Sequence, residues 1–288
     1  MSVVVRTHTG KVRENNEDSL LLLHPKLFAI ADGMGGYNAG EVASEMALYG
    51  LRDASPGLEG LGGTLLITAL HRIVRQINRT VYEKAREIPE YNGMGTTLTG
   101  VYLDGAGKAY IFHVGDSRVY LMRDGRLKQI TTDHSLVGEL LERGEITPEE
   151  AFDHPKKNIL TRGIGVNEDV TVDVFVIDVY RDDMVLLCSD GLTDMVRDRR
   201  IETVLQQRNL QLAADDLLRD ALDAGGKDNI SFIIIRMDGK KEPMKDTAEI
   251  KTTGNWADPD TKTPADDRDL FPPRVRNKER NRNGKEAR

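Results

Sequence analysis

A layered α+β sandwich is the fold class this sequence predicts, on three observations. Short apolar or alternating runs recur through residues 1–238, at 3–8, 19–23, 27–31, 96–102, 109–114, 118–122, 171–177, 184–188 and 230–236. The joints between several of them, such as Asp104-Gly105-Ala106-Gly107-Lys108 and Arg123-Asp124-Gly125-Arg126, are short, polar and glycine-containing, which suits antiparallel hairpins. Helical periodicity is confined to one early and one late block, instead of alternating with strands as a parallel βαβ sheet requires.

The early block holds two helices. Val42, Ala43, Met46 and Ala47 give one apolar face over 40–52, and Leu66, Leu70, Ile73, Ile77 and Val81 give another over 64–87. The late block covers about 200–207 and 210–223. Between them, 133–162 interrupts the strands with a short helix and a second helix start, Thr147-Pro148-Glu149-Glu150, whose Thr and Glu are spaced for a capping box. This stretch reads as an inserted, movable flap. Beyond 238 the pattern fails. Residues 239–288 are polar and proline-containing, running from acidic Asp266, Asp267 and Asp269 to a basic end at Arg274–Arg288. So little apolar surface cannot offset ordering entropy, and a disordered tail is expected. Trp256, Leu270 and Phe271 are the anchors it would offer if it docks a partner.

Composition narrows the function. With 288 residues, 39% hydrophobic and 30% charged, the chain suits a globular protein, and its net charge of −7 argues against nucleic acid as a partner. One cysteine, Cys188, excludes an internal disulfide and fits a reducing compartment; its apolar setting favours a buried thiol over a nucleophile. Neither a signal-peptide core nor a membrane span of about 20 apolar residues is evident, so cytoplasm is the expected location.

The chemistry lies in acids placed at strand ends. Asp32 follows Leu27-Phe28-Ala29-Ile30-Ala31 and precedes Gly33. Asp116 follows the 109–114 run; Asp190 follows 184–188, with Asp194 a turn later; Asp228 and Asn229 lead into 230–236; Glu17 and Asp18 lead into 19–23. Any one of these is explained by the turn and capping habits of aspartate. If the strand ends converge, however, the carboxylates repel one another severely unless a multivalent cation lies among them. Oxygen ligands without a Cys or His cluster point to Mg²⁺ or Mn²⁺ rather than Zn²⁺. Two such ions sharing a carboxylate suit an in-line displacement at phosphorus. Arg13, just before the acidic pair, has the guanidinium geometry to hold a phosphate, although a surface ion pair explains it equally well by itself.

Six blocks occur in order: GKVRENNEDS, LFAIADGMGGYNAGEVAS, MGTTLTGVYL, HVGDSRVYLMRDGRLKQIT, LLCSDGLTD and GGKDNISFIII. Together they resemble the metal-dependent serine/threonine protein phosphatases of the 2C type, the PPM family, in its compact bacterial form. The resemblance implies a four-layer α-β-β-α sandwich with two antiparallel sheets and a two-metal site at one end. It implies that Asp32 bridges both metals, the Gly33 carbonyl binds one, and Asp190 and Asp228 complete the other. Glu17 and Asp18 would act through waters or orient the ligands, Asp116 and Asp194 would form a weaker third metal site, and Arg13 would bind phosphate. Gly95-Thr96-Thr97 and Asp116-Ser117-Arg118 would build the walls.

Two departures stand out. Tyr37 occupies the place where many bacterial relatives have a histidine near the leaving group, which leaves the general acid unassigned. His8 stands where many have an aspartate. Of the six histidines, His8, His24, His71 and His113 sit in strand or helix contexts that suit packing, while His134 and His154, in the flap, are within reach of substrate but are expected to be solvated. The implied activity is hydrolysis of phosphoserine and phosphothreonine in proteins by metal-activated water, opposing a bacterial Ser/Thr kinase. The competing readings are a catalytically silent phosphoprotein-binding regulator, which should have lost metal ligands, and a metal-dependent phosphodiesterase, which should carry a basic stripe.

Overall fold

Alternation along the strands builds the core of the protein, seen in a computed structural model that describes residues 1–35, 39–237 and 250–253. One sheet has the order β1 (Ser2–His8), β11 (Ile230–Arg236), β10 (Met184–Cys188), β7 (Arg118–Arg123), β8 (Arg126–Gln129). The larger has the order β12 (Ile250–Thr253), β9 (Asp173–Asp178), β6 (Lys108–Val114), β5 (Leu98–Leu103), β3 (Leu27–Met34), β2 (Asp18–Leu23), with β4 (Gly95–Thr96) against the end of β3. Every described ladder is antiparallel.

The period of two sorts side chains into three cores. Ala109 and Ile111 of β6 meet Val185, Leu187 and Ile233 of the other sheet. Tyr110, Phe112 and Val114, on the opposite face of β6, pack under α1 (Gly40–Ala54) and α2 (Gly63–Glu87), against Leu51, Leu70 and Val74. Leu186, Phe232 and Ile234 pack under α6 (Asp198–Leu205) and α7 (Leu210–Asp223), against Ile201 and Leu217. Helices, sheet, sheet, helices: the four layers follow because each sheet is apolar on both faces.

Register fixes where the loops meet. In the smaller sheet His8 pairs Ile230, Phe232 pairs Cys188, and Cys188 pairs Arg118. In the larger, Asp18 pairs Asp32, Ile30 pairs Thr99, and Leu98 pairs Val114. The acid-bearing termini of β2, β3, β6, β10 and β11 therefore share one end of the sandwich.

Several elements differ from expectation. The run 96–102 is split, with Thr97 between β4 and β5, and the strand expected from 171 begins at Asp173. β8 was not expected because its residues, RLKQ, are exposed or half-buried and carry no apolar run. The insertion contains α3 (Leu136–Glu142), capped by Ser135, and α4 (Pro148–Phe152), whose capping box joins Thr147 and Glu150 as the sequence implied. A single turn, α5 (Asp190–Thr193), follows β10. Residues 250–253, inside the segment expected to be disordered, pair with β9 from Ile250 opposite Val176 to Thr253 opposite Asp173. The rest of the tail, including Trp256, Leu270 and Phe271, lies outside the described residues, as does Tyr37.

Candidate metal centre and active site

The site is assembled by close backbone approaches. Asp18 and Asp32 face each other across the β2–β3 ladder. Asp32 is fixed at both main-chain atoms: its N–H donates to Thr97 Oγ1 at 2.9 Å and its carbonyl accepts from Thr97 N at 2.9 Å. Gly33 donates to the Glu17 carbonyl at 3.1 Å, and a Cβ there would lie 2.2 Å from the Gly40 carbonyl, so only glycine lets β3 end against the start of α1. At Gly191 a Cβ would come within 1.9 Å of the Asn229 carbonyl. That glycine brings Asp190 beside the Asp228 turn. Asn229 then ties down the N-terminal loop: its Oδ1 accepts from Glu17 N at 2.7 Å and its Nδ2 donates to the carbonyls of Thr9 and Asn15, both at 2.9 Å. The sequence reading had Asn229 only as a neighbour of Asp228; its polar side chain at the start of an apolar strand was the available signal.

Arg13, Glu17, Asp32, Gly33, Asp116, Asp190 and Asp228 all line one cleft of about 430 Å³. Arg13 donates to Asp228 Oδ2 at 2.7 Å. Asp18 lies beneath, accepting from Ser189 Oγ at 2.9 Å, with its Oδ1 buried and without a donor. Asp194 faces the neighbouring hollow and accepts an ion pair from Lys157 Nζ, out of the insertion, at 3.0 Å.

Like charges and burial push Asp32, Asp190, Asp18, Asp116 and Glu17 above their usual range. Burial, then the charges of Asp18 and Asp190, hold Asp32 well above it; burial, then Asp116 and Asp194, do the same to Asp190. Asp18 is pushed up to about 6, chiefly by burial and against the help of Ser231 and Ser189. Asp116 is pushed up to about 7 by burial and by Asp133, with Arg118 opposing. Glu17 is raised by burial and by Glu41, whose Oε2 is itself buried without a partner. An all-oxygen donor set under such repulsion is chemically matched to hard divalent cations. Among the described residues no group of three or more acidic, histidine or cysteine side chains lies in metal-holding geometry.

Of the residues expected in the walls, Thr97 and Asp116 line the cleft, and Arg118 lines the neighbouring hollow. Thr97 Oγ1 and Ser117 Oγ are 2.8 Å apart, and Arg118 pairs with Asp133 at 2.7 Å, beneath the insertion. The histidines divide differently from expectation. His134 is buried, not solvated: its main chain and Nδ1 both bond Gly115, and its ring lies 4.5 Å from that of His113. His154 is half-buried and its Nδ1 accepts from Lys156 N. His8 and His24 are exposed rather than packed in the core; His8 Nδ1 accepts from Gly10 N at 2.8 Å, in the turn leading to Arg13. His71 and His113 are buried as expected, and so is Cys188.

A sequence profile of the family described as protein phosphatase 2C matches residues 8–224. The chain belongs to the protein phosphatase 2C family. It is 41% identical over 249 residues to the serine/threonine phosphatase Stp of Listeria monocytogenes, covering 83% of this chain and 96% of that protein. The crystal structure of the Mycobacterium tuberculosis serine/threonine phosphatase PstP/Ppp superposes with a TM-score of 0.76 at 38% identity, covering 82% of this chain and 98% of that one. A PstP catalytic domain in complex with two manganese ions matches with a TM-score of 0.71 at 37% identity, over 81% and 96%. These neighbours share the pair of antiparallel sheets flanked by helices, so the 2C-type assignment and the α+β fold agree. As in that family, this 2C-type chain is a metal-dependent enzyme. Among the described residues no helix is long and apolar enough to cross a membrane.

Proposed function

We infer that this chain is a protein-serine/threonine phosphatase that hydrolyses phosphoserine and phosphothreonine monoesters in proteins. The observation that carries this reading is the meeting of Asp32, Asp190 and Asp228 with Arg13 in one cleft of a 2C-type fold. Asp32, the Gly33 carbonyl, Asp190 and Asp228 are the residues we assign to two divalent cations, with Glu17 and Asp18 ordering the surrounding waters and ligands. Mn²⁺ or Mg²⁺ suits the oxygen donors, and the two manganese ions of the PstP neighbour favour Mn²⁺. When bound, such ions neutralise the carboxylates, acidify water and stabilise charge on phosphoryl oxygens. Asp116 and Asp194 are assigned to a third, weaker ion, which has to displace Lys157 from Asp194.

The chain's own contribution is positional. Arg13 uses one guanidinium nitrogen on Asp228 and keeps further donors for phosphoryl oxygens, which develop charge in the transition state. The hydrogen-bonded Asp32–Thr97–Ser117 wall holds the central carboxylate in place without reorganisation during turnover. Water supplies the new P–O bond, and the departing seryl or threonyl oxygen takes a proton. No described histidine lines the cleft to provide it. A cytoplasmic location, opposition to a bacterial Ser/Thr kinase, and a tail that docks a partner complete the reading.

The test is direct. Purified protein with Mn²⁺ should hydrolyse p-nitrophenyl phosphate and a phosphothreonine peptide, and EDTA should abolish both. Hydrolysis of a bis-ester without the monoester would overturn the phosphatase reading.

A further inference from the structure

Arg162 enters the cleft from the insertion, on a segment bonded at both ends. Thr161 N donates to the His134 carbonyl at 2.8 Å, and Ile164 exchanges main-chain bonds with Thr96 at 2.8 and 3.0 Å. Arg162 Nη1 donates to Asp173 Oδ1 at 3.0 Å; Asp173, at the start of β9, is 1% exposed, while the arginine side chain is 36% exposed. Asp173 Oδ2 lies 3.5 Å from Nε2 of buried His134. Because His134 Nδ1 accepts from Gly115 N, the neutral ring carries its proton on Nε2, facing the aspartate. Burial would raise Asp173, yet His134 and Arg162 outweigh it and hold the carboxyl down to about 2.

The guanidinium is anchored through one nitrogen and presents its remaining donors to the cleft, which Arg162 lines together with Arg13. Its carboxylate partner is Asp173 on β9, not one of the floor acids Asp32, Asp190 and Asp228. Arg13, by contrast, pairs directly with Asp228. The two arginines thus address different parts of one substrate.

On the phosphatase reading above, we propose that Arg162 is a specificity residue that binds an acidic side chain flanking the phosphoresidue, and that Asp173 is its positioning residue. An aspartate or glutamate beside the phosphoserine or phosphothreonine forms a charge-assisted, bidentate-capable pair with the free face of the guanidinium. A small aryl phosphate has no such group.

The experiment compares Mn²⁺-loaded wild type with Arg162→Ala and Arg162→Lys on three substrates: p-nitrophenyl phosphate, a phosphothreonine peptide flanked by glutamate, and its glutamine-flanked counterpart. Wild type should show a lower KM for the acidic peptide. Arg162→Ala should raise that KM roughly tenfold, as the loss of one hydrogen-bonded charge contact implies, and erase the acidic-over-neutral preference, with a smaller effect on p-nitrophenyl phosphate. Arg162→Lys should retain part of it. Asp173→Asn should weaken the preference, and adding Arg162→Ala to it should have little further effect. An unchanged acidic-to-neutral KM ratio in Arg162→Ala overturns the proposal, as does an equal rise of KM for p-nitrophenyl phosphate. Failure of wild type to hydrolyse any of the three would instead count against the phosphatase reading itself.

Discussion

Two groups of aspartates withdrawn from solvent in this fold behave oppositely. At the cleft floor, Asp32, Asp190 and Asp116 are raised, because burial is compounded by one another's charge. Asp173, with its side chain closed off from solvent, is lowered, because His134 and Arg162 face it. Burial alone does not set the charge of a carboxylate; what faces it does. The paired aspartate meets the Arg162 guanidinium and the His134 ring of the chain itself. The floor aspartates have few cations of the chain's own, Arg13 pairing with Asp228 and Lys157 with Asp194, and we propose that a bound divalent cation makes up the deficit.

The sharpest way to break this contrast is to remove one acid from each group. Asp190→Ala should lower phosphatase activity by roughly a thousandfold or more, since it deletes a proposed cation ligand, while thermal stability without metal holds or rises. Loss of folding would place Asp190 with the structural acids instead. Asp173→Asn should do the reverse, destabilising the fold by about 2–3 kcal/mol in urea titration by breaking a buried pair that is partly open to solvent at Arg162. A stability equal to wild type would mean the pair is not holding the insertion.

The contrast also has a pH form. A carboxyl raised in the native state, such as Asp116 at about 7, adds stability in full below its unfolded value near 4, and that contribution is lost as pH rises through 7. Metal-free Asp116→Asn should therefore match wild type near pH 4 and exceed it by about 2 kcal/mol near pH 8, read as Tm. Mn²⁺ should narrow the gap. The smallest effect belongs to the insertion, where Thr147→Ala should cost about 1 kcal/mol of local stability by removing the capping box, visible as faster amide exchange in α4 with activity on p-nitrophenyl phosphate retained.

Much of this was legible in the sequence because strand periodicity and turn chemistry are local. The β6 run alternates Tyr110 and Phe112 with Ala109 and Ile111, and the helices α1 and α2 carry clear apolar faces. β8 escaped because its polar residues sit at an edge, and α5 because a single turn has no period to detect. The floor acids stood out through their repeated position at strand ends. The Asp173–His134–Arg162 network did not, since it is made only when the insertion folds back onto β9. Its one local trace is an aspartate inside the alternating run Val170-Thr171-Val172-Asp173-Val174, and nothing in that run says that the aspartate is buried or what it meets.

The most direct measurement is a calorimetric Mn²⁺ titration of the purified protein at pH 7 in buffers of different ionisation enthalpy. Carboxyls held up at about 6 and about 7 retain protons that a cation must expel. The account predicts at least two Mn²⁺ per chain, proton release on binding, and loss of both in an Asp32→Asn, Asp190→Asn double variant that still folds. Mn²⁺ binding that is absent, or that persists unchanged in the double variant, would contradict it.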